Sequence, residues 1–339
     1  MKDTATRVMS AAGVALTLLA GSAGPGSAQP RYDGFNIIAT PGHAYGGLSA
    51  RRALASARRL GARSVAIVPF LWQATPGEGF VARGKDMPDA ELRAAIRDAR
   101  ALGLTVMVKP HVWVPESWAG TVAPRSEDGW RTWFESYRAA LATIAAVAAE
   151  ERADALSIGT ELEKTTGRPE WIELIAAVRA RFPGRLLYVA HNTEEAEQVP
   201  FWNLLDAIGV TLYPPLGADR DRAGRLDAMQ AAARRLDALS ARTDRRIVVG
   251  EIGLRSAEGA AAKPWESAEE RTAAADPLLQ AEVLADWLRV LRRPSVQGVL
   301  VWRWFTDPAA GGIADTDFTV QGKPAEGVLL CAWTVGCGM

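Results

Sequence analysis

Residues 155–162 read Ala-Leu-Ser-Ile-Gly-Thr-Glu-Leu, and residues 246–253 read Arg-Ile-Val-Val-Gly-Glu-Ile-Gly. In both, apolar and small residues run continuously up to a glutamate instead of alternating with polar ones. That is how a strand covered on both faces reads. Working outward, the same texture recurs at 34–39 (GFNIIA), 64–70 (SVAIVPF), 105–112 (TVMVKPHV), 186–192 (LLYVAHN), 207–213 (AIGVTLY) and 298–305 (GVLVWRWF). Between these runs lie Ala/Leu/Arg-rich segments with helical spacing, at about 48–60, 88–102, 128–150, 168–182, 223–240, 276–292 and 324–332, with a short one near 199–206. Ser49 and Pro88-Asp89 read as helix starts, and Gly61 and Gly103 as helix ends. Eight strands alternating with helices predict a single α/β domain over residues 30–339, a closed (β/α)8 barrel. The alternative, an open doubly wound sheet, would carry a glycine-rich phosphate turn after an early strand. Thr40-Pro41-Gly42-His43 is not one.

Composition narrows the function. The chain has 339 residues and is 48% hydrophobic, with 39 basic against 39 acidic residues, so it lacks the positive charge that nucleic-acid binding uses. Three histidines and two cysteines cannot build a multi-ligand zinc or iron–sulfur framework, and none of the histidines has the HxH spacing of metal-dependent barrel hydrolases. No metal or cofactor is therefore expected. Twelve tryptophans call for a functional explanation. Residues 1–28 have the layout of a secretory signal peptide: basic Lys2 and Arg7, an apolar stretch from Val8 to Ala20, and small residues at Gly26-Ser27-Ala28. The alternative is an uncleaved anchor or tail. Export predicts a secreted or periplasmic protein without stable membrane insertion, and permits a disulfide between Cys331 and Cys337.

In a (β/α)8 barrel, chemistry gathers at the C-terminal ends of the strands. Those positions hold Asn36, Trp72-Gln73, Lys109 with His111, Glu161, His191-Asn192, Tyr213, Glu251 and Trp302 to Trp304. Strict alternation puts Ser157, Gly159 and Glu161 on one face, and Ile247, Val249 and Glu251 on one face. Two carboxylates pointing into one mouth can flank a glycosidic bond, one protonating the leaving oxygen and the other attacking or activating water. The alternative is that both are buried ion-pair partners, for example of Lys109 or Arg303.

The chain resembles glycoside hydrolase family 113, retaining (β/α)8 enzymes best known as β-mannanases. The resemblance rests on GFNII (34–38), LGARSVAIVPFLWQ (60–73), GLTVMVKPHV (103–112), DALSIGTELE (154–163), FWNLLDAIGVTLYPPL (201–216), VVGEIGLRS (248–256), KPW (263–265), GVLVWRW (298–304) and GKPAE (322–326). It implies Glu161 as acid/base, Glu251 as nucleophile, and double displacement on a β-linked oligo- or polysaccharide, mannan first among them. Tyr213 is then the expected donor to Glu251. Desolvation is expected to keep Glu161 protonated, and hydrogen bonds to keep Glu251 ionised. The chain departs from the family pattern at Ala190-His191-Asn192-Thr193, where an Asn-Trp pair is expected, and at Ser117-Trp118-Ala119-Gly120, where an Arg is expected before the glycine.

A flat indole stacks on the apolar face of a pyranose, so aromatics around the mouth suit a sugar cleft. Trp72, Trp113, Trp118, Trp265, Trp302 and Trp304 fall at or beyond strand ends, with Trp302 or Trp304 expected to floor the central subsite. Trp130, Trp133, Trp171, Trp202, Trp287 and Trp333 fall in helical segments, where packing is the default reading. The expected substrate contacts are thus Asn36, Trp72, Lys109, His111, Trp118, His191, Asn192, Trp265, Trp302 and Trp304. Lys109 has a second reading, as a cation that holds a carboxylate in place. A non-catalytic sugar-binding barrel and an inverting hydrolase are the competing functions; inversion needs carboxyls roughly 6.5–9.5 Å apart, retention about 5–5.5 Å.

Overall fold

The computed structural model describes residues 31–335. The predicted signal segment and Cys337 lie outside them. Eight parallel strands close a barrel in chain order: β1 (Gly34–Ile38), β2 (Ser64–Ile67), β3 (Thr105–Val108), β4 (Ala155–Thr160), β5 (Arg185–His191), β6 (Ala207–Leu212), β7 (Ile247–Ile252) and β8 (Val296–Phe305), with β8 pairing back onto β1. The helices that follow them are α1 (Leu48–Arg59), α2 (Asp89–Ala101), α3 (Glu127–Glu150), α4 (Glu170–Arg179), α5 (Asn192–Gln198), α6 (Arg222–Thr243), α7 (Pro277–Val290) and α8 (Ala325–Leu330).

The continuous apolar runs are explained by burial on two sides. Outward residues such as Phe35, Ile67, Val108, Ile158, Tyr188, Val210 and Val249 pack under the helices in one large cluster. Inward residues Ala66, Met107, Ala155, Leu187, Ala207, Val248 and Leu300 fill the barrel around Tyr32 in a separate, smaller one. Close strand contact demands a missing side chain at Gly34, where a Cβ would lie 1.7 Å from the Ser64 carbonyl oxygen.

Helix ends follow local chemistry. The side chains of Ser126, Asp221 and Asp276 accept from the backbone N–H groups of Gly129, Gly224 and Leu279 at the starts of α3, α6 and α7 respectively, with Pro277 at the first turn of α7. Gly61 and Gly103 take positive φ after α1 and α2, as their positions predict. Ser49 is no cap: α1 begins one residue before it, behind Gly47. The short fifth helix starts at Asn192, directly after its strand, and the predicted 199–206 segment contains only a single tight turn at Trp202–Leu204.

Two predicted strands are each broken in two. Pro69 and Pro110 cannot donate to a ladder, and at these points the 64–70 and 105–112 runs end as barrel strands. The chain resumes as the short strands Phe70–Trp72 and His111–Trp113, which pair with each other and with Ala82–Arg83 in a separate sheet. That sheet prolongs β2 and β3 past the barrel rim and forms one wall of the mouth.

Candidate active site

The two glutamates reach the mouth because their strands do not alternate strictly. On β7, Val249 lies opposite Val210 and Glu251 opposite Thr211, so one extra residue is inserted in β7. Val210 and Val249 face the helices, whereas Thr211 faces the mouth, and the bulge turns Glu251 to the Thr211 side. On β4 an extra residue stands between Ser157 and Thr160, and Glu161 follows the strand in the left-handed region, at φ 54°. Its N–H donates to the Val189 carbonyl at 2.8 Å, which ties this conformation to β5. The expected faces were therefore wrong in detail: Glu251 does not share the face of Val249, and Glu161 does not continue a Ser157–Gly159 row.

Glu251 is buried beside a cation. Its Oε1 pairs with the ammonium of Lys109, which is itself 0% exposed, and the Tyr213 hydroxyl donates to Oε2 at 3.2 Å. Burial first, then the neighbouring Glu251 carboxylate, push the Tyr213 phenol well above its ordinary range, so it keeps its hydrogen and donates. Lys109 Nζ also lies 5.4 Å from the centre of the Trp302 ring. Of the two readings of Lys109, the structure supports the holding of a carboxylate; a fully buried ammonium does not contact substrate.

Glu161 has a different set of partners. The Thr211 hydroxyl donates to Oε1 at 2.6 Å, His191 Nδ1 lies 3.0 Å from the same oxygen, and His111 Nε2 lies 3.6 Å from Oε2. Burial pushes this carboxyl up, but the hydrogen bonds and charges of His111 and His191 outweigh it and hold Glu161 well below the usual carboxylate range. The expectation that desolvation keeps Glu161 protonated is thereby corrected. His191 is expected as a sugar contact and His111 as a partner of either sugar hydroxyls or Glu161. The structure sets both on Glu161, and their combined pull on the carboxylate exceeds the effect of burial.

Trp72 and Trp113 stand on the extra sheet, both exposed, with ring centres 6.2 Å apart, and the Trp72 Nε1–H donates to Asp86. Trp118 packs 4.7 Å from the His191 ring, lying across Gly120, where a Cβ would meet its ring at 2.1 Å. Trp265 is exposed on the loop after β7, and Trp302 is partly buried at the end of β8. Trp304 is not in the mouth: it is 2% exposed, packs on Phe35 and donates to the Ala53 carbonyl under α1. The reason is again register, since between Val301 and Trp304 β8 carries one residue more than β1 does between Phe35 and Ile37. Asn36 is likewise withdrawn as a substrate contact, being fully buried with its amide on the Gly250 carbonyl at 2.9 Å. His43 stands apart from the other two histidines, 3.8 Å from Asp307. Among the described residues no cluster of three or more His, Cys, Asp or Glu is placed to hold a metal.

Sequence reasoning passed over Thr211 and Glu195. Thr211 sits two residues before Tyr213 on β6, so the alternation that selected Tyr213 also pointed to it. Glu195 is 2% exposed on α5; it accepts from the Tyr188 hydroxyl and from the His191 N–H, each at 2.5 Å. Tyr188 in turn accepts from the N–H of Leu162, the residue after Glu161. Nothing in a helical Glu-Glu pair signals such a role.

A family model described as Glycoside Hydrolase Family 113 matches residues 35–323. Among solved structures, a β-mannanase of that family from Alicyclobacillus acidocaldarius is 24% identical, with 90% of this chain and 97% of that chain covered at a TM-score of 0.81. A second family 113 β-1,4-mannanase is 25% identical, covered over 90% and 99% of the two chains at 0.80. A β-glucuronidase from Ruminococcus gnavus, 14% identical, covers 89% of this chain and 50% of its own at a TM-score of 0.60, a likeness of fold alone. No curated protein matches the chain.

Proposed function

The chain belongs to Glycoside Hydrolase Family 113, and from that premise we propose that it hydrolyses a β-linked mannan by double displacement, with Glu251 as nucleophile and Glu161 as acid/base. The observation that carries the assignment of roles is the unequal provision of the two carboxylates. Glu251 has a buried ammonium on one oxygen and the Tyr213 phenol donating to the other, partners that fix and orient its carboxylate. Glu161 is anchored through Oε1 by Thr211 and His191, while Oε2, 3.6 Å from His111 Nε2, is the oxygen that carries a proton in and out.

The first half-reaction starts from the form of the enzyme in which Glu161 has taken up a proton: a Glu251 oxygen attacks the anomeric carbon, the bond to the leaving oxygen breaks, and that oxygen takes the proton from Glu161. In the second, Glu161 accepts a proton from water as the water oxygen attacks the same carbon and the Glu251 carboxylate departs. One glycoside and one water give two sugars, with the anomeric configuration retained. Trp72, Trp113, Trp118, Trp265 and Trp302 supply the flat apolar surfaces on which pyranose rings stack. Mannan is chosen because the two most similar structures described above are β-mannanases; the same site chemistry serves other β-linked hexoses.

The test is hydrolysis of a panel of β-linked polysaccharides, mannan included, by wild type and by Glu251→Ala, with the anomer of the first product read by proton NMR. Turnover of mannan lost in the variant, with the β-anomer formed first, supports the reading. An inverted first product refutes the double displacement, and turnover unaffected by Glu251→Ala refutes the nucleophile. Binding without turnover points to a sugar-binding barrel. We also propose that the protein is exported with loss of residues 1–28 and bridges Cys331 to Cys337, both readable by the intact mass of the secreted protein before and after thiol alkylation.

A further inference from the structure

His191 is at a position where the chain departs from its family, and its surroundings fix where its hydrogens lie. The Tyr213 backbone N–H donates to Asn192 Oδ1 at 2.8 Å, so the other arm of that amide is the NH2 group. Asn192 Nδ2 lies 3.0 Å from His191 Nε2, which must therefore accept. A ring nitrogen that accepts has no hydrogen, so the neutral imidazole carries its hydrogen on Nδ1. That hydrogen faces Glu161 Oε1 at 3.0 Å. Asn192 holds its place because it takes φ 52°, a left-handed conformation that asparagine tolerates well, and because it opens α5 directly after β5. The Glu195 carboxyl accepts from the His191 N–H and fixes the ring's backbone from below. A hydrogen-bonded chain thus runs from Glu251 through the Tyr213 hydroxyl, then from the Tyr213 N–H through Asn192 and His191 to Glu161.

Resting on the roles proposed above, we propose that His191, set by Asn192, is a positioning residue that presents a permanent Nδ1–H to Glu161 Oε1, so that the acid's proton is confined to Oε2 and is released at lower pH than it otherwise would be. The other groups facing this pair are His111 from the rim strand His111–Trp113, Glu163 from the turn after β4, Glu195 from α5, and Thr211 and Tyr213 at the end of β6, with Glu251 and Lys109 across the mouth. Burial is the largest single effect and pushes the His191 ring down, but Glu161 together with Glu195 and Glu163 outweighs it and pulls the ring up, while the Asn192 NH2 group opposes a second hydrogen at Nε2. In either charge state Nδ1 keeps its hydrogen.

The experiment compares wild type with His191→Leu and His191→Asn on two aryl β-mannosides, one with dinitrophenol as leaving group and one with phenol, across pH. Because the phenyl mannoside needs the acid and the dinitrophenyl one barely does, His191→Leu is expected to slow the former about tenfold more than the latter. The alkaline limb of its kcat/KM should move up by about one pH unit. His191→Asn, whose amide can place an N–H where Nδ1 was, is expected to restore the limb. Nitrogen-resolved NMR of the imidazoles gives a readout that needs no variant to fold: His191, one of only three histidines, should be unprotonated at Nε2 when neutral. Equal slowing of both glycosides, an unmoved limb or the opposite tautomer overturns the proposal. A limb that moves down also overturns it, because the proton would then be stored on an imidazolium at 191. If Glu161→Gln itself shows no leaving-group dependence, the failure lies in the acid/base assignment instead.

Discussion

Replacing Glu195 with glutamine removes one proton equilibrium from the wall of the site while leaving the side chain's shape. Glu195 is 2% exposed, and burial pushes its carboxyl up to about 8, against the opposing pull of the Tyr188 hydroxyl and the His191 N–H. Glu161 nearby pushes in the same direction as burial. In the unfolded chain the group ionises near its ordinary value of 4.5. Between those two values the folded protein holds a proton that the unfolded chain has lost. The resulting stability is complete below the lower value and disappears as pH rises toward the upper one. At about 1.4 kcal/mol for each unit, the window is worth about 5 kcal/mol. A glutamine has no such window. Urea unfolding of wild type and Glu195→Gln from about pH 4 to about pH 9 should show the variant within about 1 kcal/mol of wild type at the acid end, and gaining on it steadily above. Parallel stability curves for the two proteins would refute the reasoning, since they would mean that Glu195 ionises alike in the folded and unfolded states.

Trp304→Ala should cost about 3–5 kcal/mol of stability, as a large buried side chain does when truncated. Trp113→Ala, at an exposed indole on the rim sheet, should leave the melting temperature within a few degrees and raise KM for the saccharide; the reverse pattern would mean the two rings are misassigned. Lys109→Met strands the buried Glu251 carboxylate without its ammonium. It should destabilise the protein by about 3–5 kcal/mol and lower kcat, measured by denaturant unfolding and steady-state kinetics; a variant as stable as wild type would refute the pairing.

The two-sided burial of a barrel strand leaves a local mark, because every position along it must be apolar or small. The eight runs, their order and the helices between them were therefore readable from residues such as Val65, Val106, Ile158 and Val249, and so was the placement of Glu161 and Glu251 at strand ends. The glycine ends of α1 and α2 were readable for the same kind of reason, since only the local backbone decides them. The runs 64–70 and 105–112 read as single strands, and the breaks at Pro69 and Pro110 were missed although the cause is local; the rim sheet itself needed a partner strand from elsewhere in the chain.

Which way each side chain points was not a local matter. An extra residue in β4, β7 or β8 is defined only against the neighbouring strand, and a single one reverses the face of everything beyond it. That is how Glu251 turns into the mouth and Trp304 turns out of it. Pairing at the site is decided at the same level: Lys109 and Glu251 are separated by 142 residues, His191 and Glu161 by 30. Whether a buried carboxylate is driven up, like Glu195, or held down, like Glu161, depends on which donors the fold delivers to it. Burial period and backbone preference are properties of neighbouring residues and fixed the barrel. Side-chain facing, ion pairing and proton affinity are properties of the packed molecule, and they decided the site.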